Sequence, residues 1–347
     1  MAALASAGAA SYIAVRYPLL VDLILLRPAD GVVAGTVLFV LLLEALRRAV
    51  GKALPLIVLT FVLYGVLADL MPGRLEGRAS DWRQLIAYLS IDVNGMLGIP
   101  IKIGTTIVVT FILFGSLLTV TGGSRFFTEL ALLGMGRFRG GSAKIAVAAS
   151  ALFGSISGSA VANVVATGVV TIPMIKKSGY APHQAGAIEA VASTGGQLMP
   201  PVMGAAAFLM ADYLQVPYAE VMLAAMIPAF LWYATLFIQV DLESAKLGIL
   251  GTPRAELPSL GKVMREGGHF LLPFVVLVGG LLWLNWEPEY AALCGTAVLI
   301  VLVLVVPHKG KRMTVREVTS AVVSSGGAVV DIIAITAIAG ILIGAMN

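Results

Sequence analysis

The chain has 347 residues, of which 59% are hydrophobic and only 12% charged, and its mean hydropathy is +0.96. This composition excludes a soluble enzyme and describes an all-α polytopic membrane protein whose first partner is the lipid bilayer. The net charge of +4 resides mainly in loop Lys and Arg, so it reports membrane topology and gives no support for a nucleic-acid partner.

In chain order, apolar runs at 2–17, 31–46, 53–71 and 99–120 predict crossings, since a spanning helix needs about 20 predominantly apolar residues. Residues 82–97 and 125–135 carry recurring polar positions and predict interfacial helices. The apolar stretch 145–175 is then interrupted by Gly154-Ser155-Ile156-Ser157-Gly158-Ser159 and is basic at both ends, with Arg137, Arg139 and Lys144 before it and Lys176 and Lys177 after it. Positive flanks place both ends in the cytoplasm, and arms of about 10–15 residues are too short to cross, so the pattern predicts a re-entrant hairpin. Irregular backbone at membrane depth is tolerated where it is buried in protein or lines a wet cavity, which marks the turn as a candidate site.

The next crossing, 184–214, contains Ser193-Thr194-Gly195-Gly196-Gln197 followed by Pro200-Pro201. Paired glycines permit unusual backbone angles and paired prolines remove donors, so the helix should unwind there. Such a midpoint exposes carbonyls to a cation and amides to an anion, and Ser193 and Thr194 add hydroxyl oxygens. Further crossings are expected at 218–240, 270–286, 290–306 and 315–346. The loops at 47–52, 125–144, 176–177 and 308–316 are basic, while 215–217 and 285–289 lack Lys and Arg. The alternation holds through most of the chain; 241–266 is charge-neutral, and Arg74, Arg78 and Arg83 run against the pattern.

Glu189 lies one turn before Ser193 and could tune a cation site or move a proton, or else sit at the cytoplasmic interface. Asn163 and Gln197 are amides suited to substrate contact or to interhelical hydrogen bonding. Cys294 sits in an apolar run and reads as a packing residue. The N-terminus has no secretory cleavage pattern, and no Walker-type phosphate loop is present. The first and last apolar runs look cut, so the sequence is expected to be a fragment with a second hairpin beyond Asn347.

Gly136-Arg137-Phe138-Arg139-Gly140-Gly141, the run 149–163 and the run 189–208 resemble the large membrane component of tripartite ATP-independent periplasmic (TRAP) transporters. Glu44-Ala45-Leu46-Arg47-Arg48 resembles the fused small-subunit part of forms that join the small and large subunits. The resemblance implies an elevator-type secondary transporter, not an enzyme, in the bacterial or archaeal cytoplasmic (inner) membrane. It implies sodium-coupled uptake of small organic acids (carboxylates) received from a periplasmic substrate-binding protein of the TAXI type. It divides the chain into a small-subunit-like and scaffold part at 1–98, a first repeat at 99–240 and a truncated second repeat at 241–347. Gly154, Ser155, Ser157, Gly158 and Ser159, facing Ser193, Thr194, Gly195 and Gly196, would supply oxygens to a sodium ion. Asn163 and Gln197 would contact substrate, Glu189 would act in coupling, and Pro200 and Pro201 would set the break.

Two other classes compete. The Gly154–Ser159 run can be taken as the Gly-x-Ser-Gly motif of an intramembrane serine protease, which needs a histidine to activate the serine. Of His183, His269 and His308 only His269 opens a span, and the break at 197–201 is then unexplained. A passive channel or structural membrane subunit accounts for the hydrophobicity but leaves both breaks without a purpose.

Overall fold

The computed structural model describes residues 2–22, 28–251, 257–307 and 312–346. The loop charges Arg254, Glu256, His308, Lys309 and Lys311 lie outside these residues. The described residues form helices and turns without a strand, and nine of the helical segments are long and apolar enough to cross a membrane. The chain is a multi-pass all-α membrane protein that divides into two compact units, residues 1–106 with 327–347, and residues 107–326.

The first unit holds α1 (Ala2–Asp22), α2 (Ala29–Val50), α3 (Ala53–Leu67), α4 (Trp82–Ile91) and α5 (Ile99–Ile103). Phe39, Leu46, Val58, Leu85 and Leu89 pack with Ala337, Ile338 and Ile341 as its core. Asp81 caps α4 by accepting the Arg83 N–H at 2.9 Å. The helix stops at Ile91, short of the expected end at 97, because Asp92 accepts the Asn94 N–H at 2.8 Å and starts a turn. Leu85, Ala87, Leu89, Ser90 and Ile91 are buried, and the Ser90 hydroxyl donates to Gly35 O at 3.1 Å. The C-terminal half of α4 is therefore packed within its unit around most of its circumference.

The second unit runs through α6 (Val109–Val120), α7 (Gly123–Met135), α8 (Gly141–Ser157), α9 (Ala160–Lys177), α10 (Pro182–Gly195), α11 (Ala205–Leu214) and α12 (Tyr218–Leu247). It continues through α13 (Leu260–Gly267), α14 (Leu271–Leu282) and α15 (Pro288–Val305) into the start of α16 (Val315–Met346). The 260–282 segment starts ten residues earlier than the crossing expected from 270.

Helices α8 and α9 form the expected hairpin, turning at Gly158, whose φ of +59° suits a residue without a side chain. The arms are 17 and 18 residues long, longer than the 10–15 expected. The glycine-serine run does not end the helix early: the Ser155 hydroxyl bonds back to Leu152 O at 2.7 Å and the Gly158 N–H reaches Gly154 O at 3.0 Å. At 1.5 Å per residue each arm spans roughly 26 Å, so shortness is not what defines the hairpin. The tight turn defines it, because it brings both bases to one end.

That end is fixed to α12. The Lys144 ammonium donates to Asp241 at 2.6 Å, Arg139 pairs with the same carboxylate, and Gln184 donates to Glu243 at 2.9 Å. Between α9 and α10, Tyr180 shares a 2.5 Å hydrogen bond with Ser244, and burial raises its hydroxyl above the ordinary phenol range, so it stays neutral there. Above this base Ala143, Ala146, Val147, Ile175, Ala192, Tyr233, Leu236 and Val240 make the core. The small side chains let the helices approach closely.

Candidate functional site

The crossing 184–214 is broken between Gly195 and Ala205, but the paired glycines adopt no unusual angle there: Gly196 keeps a φ of −59°, and the left-handed residue of the break is Met203 at φ +56°. Helix α10 ends at Gly195, tight turns carry the Gly196, Gln197 and Leu198 N–H groups to the carbonyls of Ser193, Thr194 and Gly195, and α11 resumes at Ala205. The hairpin tip is seated on this turn. A Cβ on Gly154 would lie 2.5 Å from Gly196 Cα, and one on Gly196 would lie 2.7 Å from Gly154 Cα. A Cβ on Gly158 would reach 1.9 Å from Met203 O, and the Val202 N–H donates to Ser155 O at 3.1 Å. The two interruptions thus pack backbone on backbone.

Aromatic residues hold the far side of the turn. The Tyr218 hydroxyl lies 2.8 Å from Pro201 O and 2.6 Å from Val202 O, so it donates to one at a time. Its ring stacks on Phe208 with centroids 4.4 Å apart, and Phe208 stacks on Phe111 at 5.2 Å. Gly195 leaves room for Trp232 and Tyr233 of α12, and the Tyr233 hydroxyl donates to Ala192 O at 3.0 Å.

The candidate ion ligands divide by environment. Ser159 caps α9 by accepting the Ala162 N–H, and the exposed Thr194 bonds back to Ala190 O at 2.7 Å. Ser155 is spent on Leu152 O, and the carbonyls of Gly154, Ser155, Ser193, Thr194, Gly195 and Gly196 all accept backbone N–H groups. The Ser157 hydroxyl is buried with no hydrogen-bond partner. The run reads Gly-Ser-Ile-Ser-Gly, one residue too long for the protease motif, and no histidine bonds Ser157.

Asn163 is fully buried, and its amide nitrogen donates to Ser150 O at 2.8 Å and lies 3.4 Å from Ser193 O. It ties both arms of the hairpin to α10. Gln197 is not brought to the same place: it is exposed and lines a cavity of about 530 Å³ with Met203, Met210, Ala224 and Pro228.

Glu189 is fully buried. Its Oε1 accepts Thr167 Oγ1 at 2.5 Å, Ser150 Oγ at 3.1 Å and Ser193 Oγ at 3.2 Å, and its Oε2 accepts Thr171 Oγ1 at 2.5 Å. No Lys, Arg or His pairs with it among the described residues. Taking a carboxylate out of water without a counter-charge is expensive, and hydroxyl donors are the compensation offered here. Ser150, Thr167, Thr171 and Tyr218 escaped the sequence reading. A signal for two of them was present: Thr167 and Thr171 follow Asn163 at every fourth residue and put one polar stripe on an apolar helix.

Residues 37–347 match the family described as tripartite ATP-independent periplasmic transporter, DctM component. The chain is 29% identical over 182 residues to the C4-dicarboxylate TRAP transporter large permease protein DctM of Pseudomonas aeruginosa, covering 52% of this chain and 42% of that protein. It is 30% identical over 215 residues to the ectoine/5-hydroxyectoine TRAP transporter large permease protein UehC of Ruegeria pomeroyi, covering 61% and 46%. Against the sialic acid TRAP transporter permease protein SiaT of Haemophilus influenzae it is 25% identical over 213 residues, covering 61% and 33%. The chain spans about half or less of the length of these curated relatives.

Proposed function

Because the chain belongs to the DctM-component family of tripartite ATP-independent periplasmic transporters, a family of transporters and not of enzymes, we propose that it is the permease part of a sodium-coupled secondary transporter. It takes up small organic acids that a periplasmic substrate-binding protein delivers, with TAXI-type proteins as the partner class, across the bacterial or archaeal inner membrane. The observation that supports this reading best is the seating of the hairpin tip on the broken crossing, Gly154 against Gly196 and Gly158 against Met203. Paired discontinuous elements of this kind build ion and substrate sites in secondary transporters. Two of the relatives are named for acids, C4-dicarboxylates and sialic acid, and the helix start at Ala205 suits a carboxylate.

In this proposal the tip and the break slide as one body with α8–α11. Ser157 offers the hydroxyl that a sodium ion would take, Ser193 and the Gly154, Gly158, Gly195 and Gly196 backbone shape the surrounding space, and Gln197 meets the substrate at the cavity mouth. Asn163 holds the arms through its amide nitrogen, which faces Ser150 O and Ser193 O. Uptake by the full-length permease with its binding protein tests the ion assignment. Ser157→Ala should raise the sodium concentration for half-maximal uptake about tenfold, the loss of roughly 1.4 kcal/mol, and leave substrate affinity within about twofold. Unchanged sodium activation in Ser157→Ala and Ser193→Ala together would remove both serines from the ion site.

A further inference from the structure

The base of the hairpin carries more positive charge than the carboxylate beside it neutralises. Arg137, Arg139 and Lys144 gather there, and Asp241 of α12 pairs with Arg139 and takes the Lys144 ammonium at 2.6 Å. Arg137 is exposed, and no carboxylate pairs with it among the described residues. The Phe138 ring draws two of the cations together, with the Arg137 guanidinium carbon 4.9 Å and the Lys144 nitrogen 5.8 Å from its centroid. The cluster of three cations and Asp241 keeps an excess of two positive charges. Glu243, the next carboxylate on α12, accepts from Gln184, and Lys246 matches it in charge three residues on. A guanidinium has five N–H donors and an ammonium three, so most of the donors here remain after Asp241 has taken one from Arg139 and one from Lys144.

These cations border an apolar groove. A cavity of about 300 Å³ is lined by Met135 and Phe138 from the end of α7 and the turn after it, by Ile238 and Leu242 from α12, and by Lys144 and Asp241 with their charges. Ile238 and Leu242 are one turn apart on one face of a helix long and apolar enough to cross the membrane, and they are 61% and 63% exposed. Helix α12 is apolar through Val240 and charged from Asp241, and α8 is apolar after Lys144, so the cluster stands at the level where both helices leave the hydrocarbon. A small inorganic anion would answer the charge and leave the groove uncovered. A glycerophospholipid answers both, with a phosphodiester for the donors and an acyl chain for the groove. The excess of positive charge selects among lipids, because a zwitterionic headgroup brings an ammonium of its own and a net anionic one does not.

We propose that this groove is a binding site for one anionic glycerophospholipid. Arg139 and Lys144 hold its phosphodiester beside Asp241, Arg137 adds charge across the Phe138 ring, and one acyl chain lies along Ile238 and Leu242. The bound lipid joins the base of the hairpin to α12 at the place where the Asp241 ion pairs already do so. The site stands whether or not the transport reading does.

Native mass spectrometry of the purified, delipidated full-length protein tests it, by titration with dioleoyl phosphatidylglycerol or dioleoyl phosphatidylcholine at one salt concentration. Each uncompensated cation near a membrane surface is worth about fivefold in affinity for an acidic lipid, so the first phosphatidylglycerol should bind roughly 25-fold more tightly than the first phosphatidylcholine. Arg137→Gln, at an exposed position without an ion pair, should lose about fivefold of that preference. Ile238→Gln with Leu242→Gln should weaken both lipids and keep their ratio, because the groove changes and the charges do not. Lys176→Gln with Lys177→Gln removes charge from the same end of the hairpin outside the groove, and should leave phosphatidylglycerol binding within about twofold of the wild type. Equal affinity for the two lipids overturns the proposal. So does a loss in the Lys176 and Lys177 double variant as large as in Arg137→Gln, which would show a general basic surface, or displacement of phosphatidylglycerol by millimolar inorganic phosphate, which would show an anion site without a lipid. Loss of sodium-driven uptake would sink the transport reading and leave these affinities untouched.

Discussion

Gly154→Ala is the sharpest test of the tip-on-break packing. The new methyl would sit 2.5 Å from Gly196 Cα and 2.8 Å from Asn163 Nδ2. The first neighbour is backbone and cannot rotate away, and the second is a buried amide already bonded to Ser150 O. Overpacking of this kind falls at the upper end of the usual penalty, about 3 kcal/mol. Replacing a mid-helix glycine by alanine returns about 1 kcal/mol through backbone entropy. The net loss of about 2 kcal/mol corresponds to a fall in melting temperature of roughly 4–8 °C for a unit of this size. Gly186→Ala is the matched control, because it lies inside α10 with nothing within 4 Å of its Cβ. It should raise the melting temperature by roughly 2–4 °C. Differential scanning fluorimetry of both variants at one scan rate in one detergent decides the matter. Gly154→Ala melting at or above the wild type would refute the close packing of tip and break.

Other outcomes follow from the same contacts. Tyr218→Phe keeps the stack on Phe208 but removes the one donor that the carbonyls of Pro201 and Val202 share. It should cost about 1–3 kcal/mol, read as a lower melting temperature, and a wild-type value would show that Tyr218 does not hold the turn. Cysteines placed at the exposed positions Arg137 and Lys177, with Cys294 replaced by serine, should both label from the cytoplasmic face, because the Gly158 turn returns the chain to its starting end. Labelling from opposite faces would contradict the hairpin topology.

The sequence carried the hairpin, the break and the order of crossings because glycine, proline and charge act locally. The turn lies within the Gly154–Ser159 run, at Gly158, and the helix of the broken crossing stops at Gly195, beside Gly196. The arm lengths were not legible, since Ser155 can either end a helix or bond back to Leu152 O, and only packing chooses the second. Helix α4 ended early for a local reason that was visible in Asp92-Val93-Asn94-Gly95, yet its burial against α2 depended on contacts 55 residues apart, Ser90 to Gly35. The site separated in the same way. Glu189 and Ser193 share one face by their spacing, whereas the meeting of that face with Ser150 and Thr167 depends on how three helices pack. Gln197 and Asn163 were similar in sequence terms, and tertiary packing put one at a cavity mouth and the other in the core.

The central claim is that the seated tip and break belong to a sodium-driven permease. The most direct measurement is uptake of radiolabelled carboxylate into proteoliposomes that hold the full-length permease, with its binding protein supplied outside. An inward sodium gradient should drive accumulation above the external concentration, and replacing sodium by potassium at a clamped pH and membrane potential should abolish it. Equal accumulation in sodium-free buffer would contradict the account.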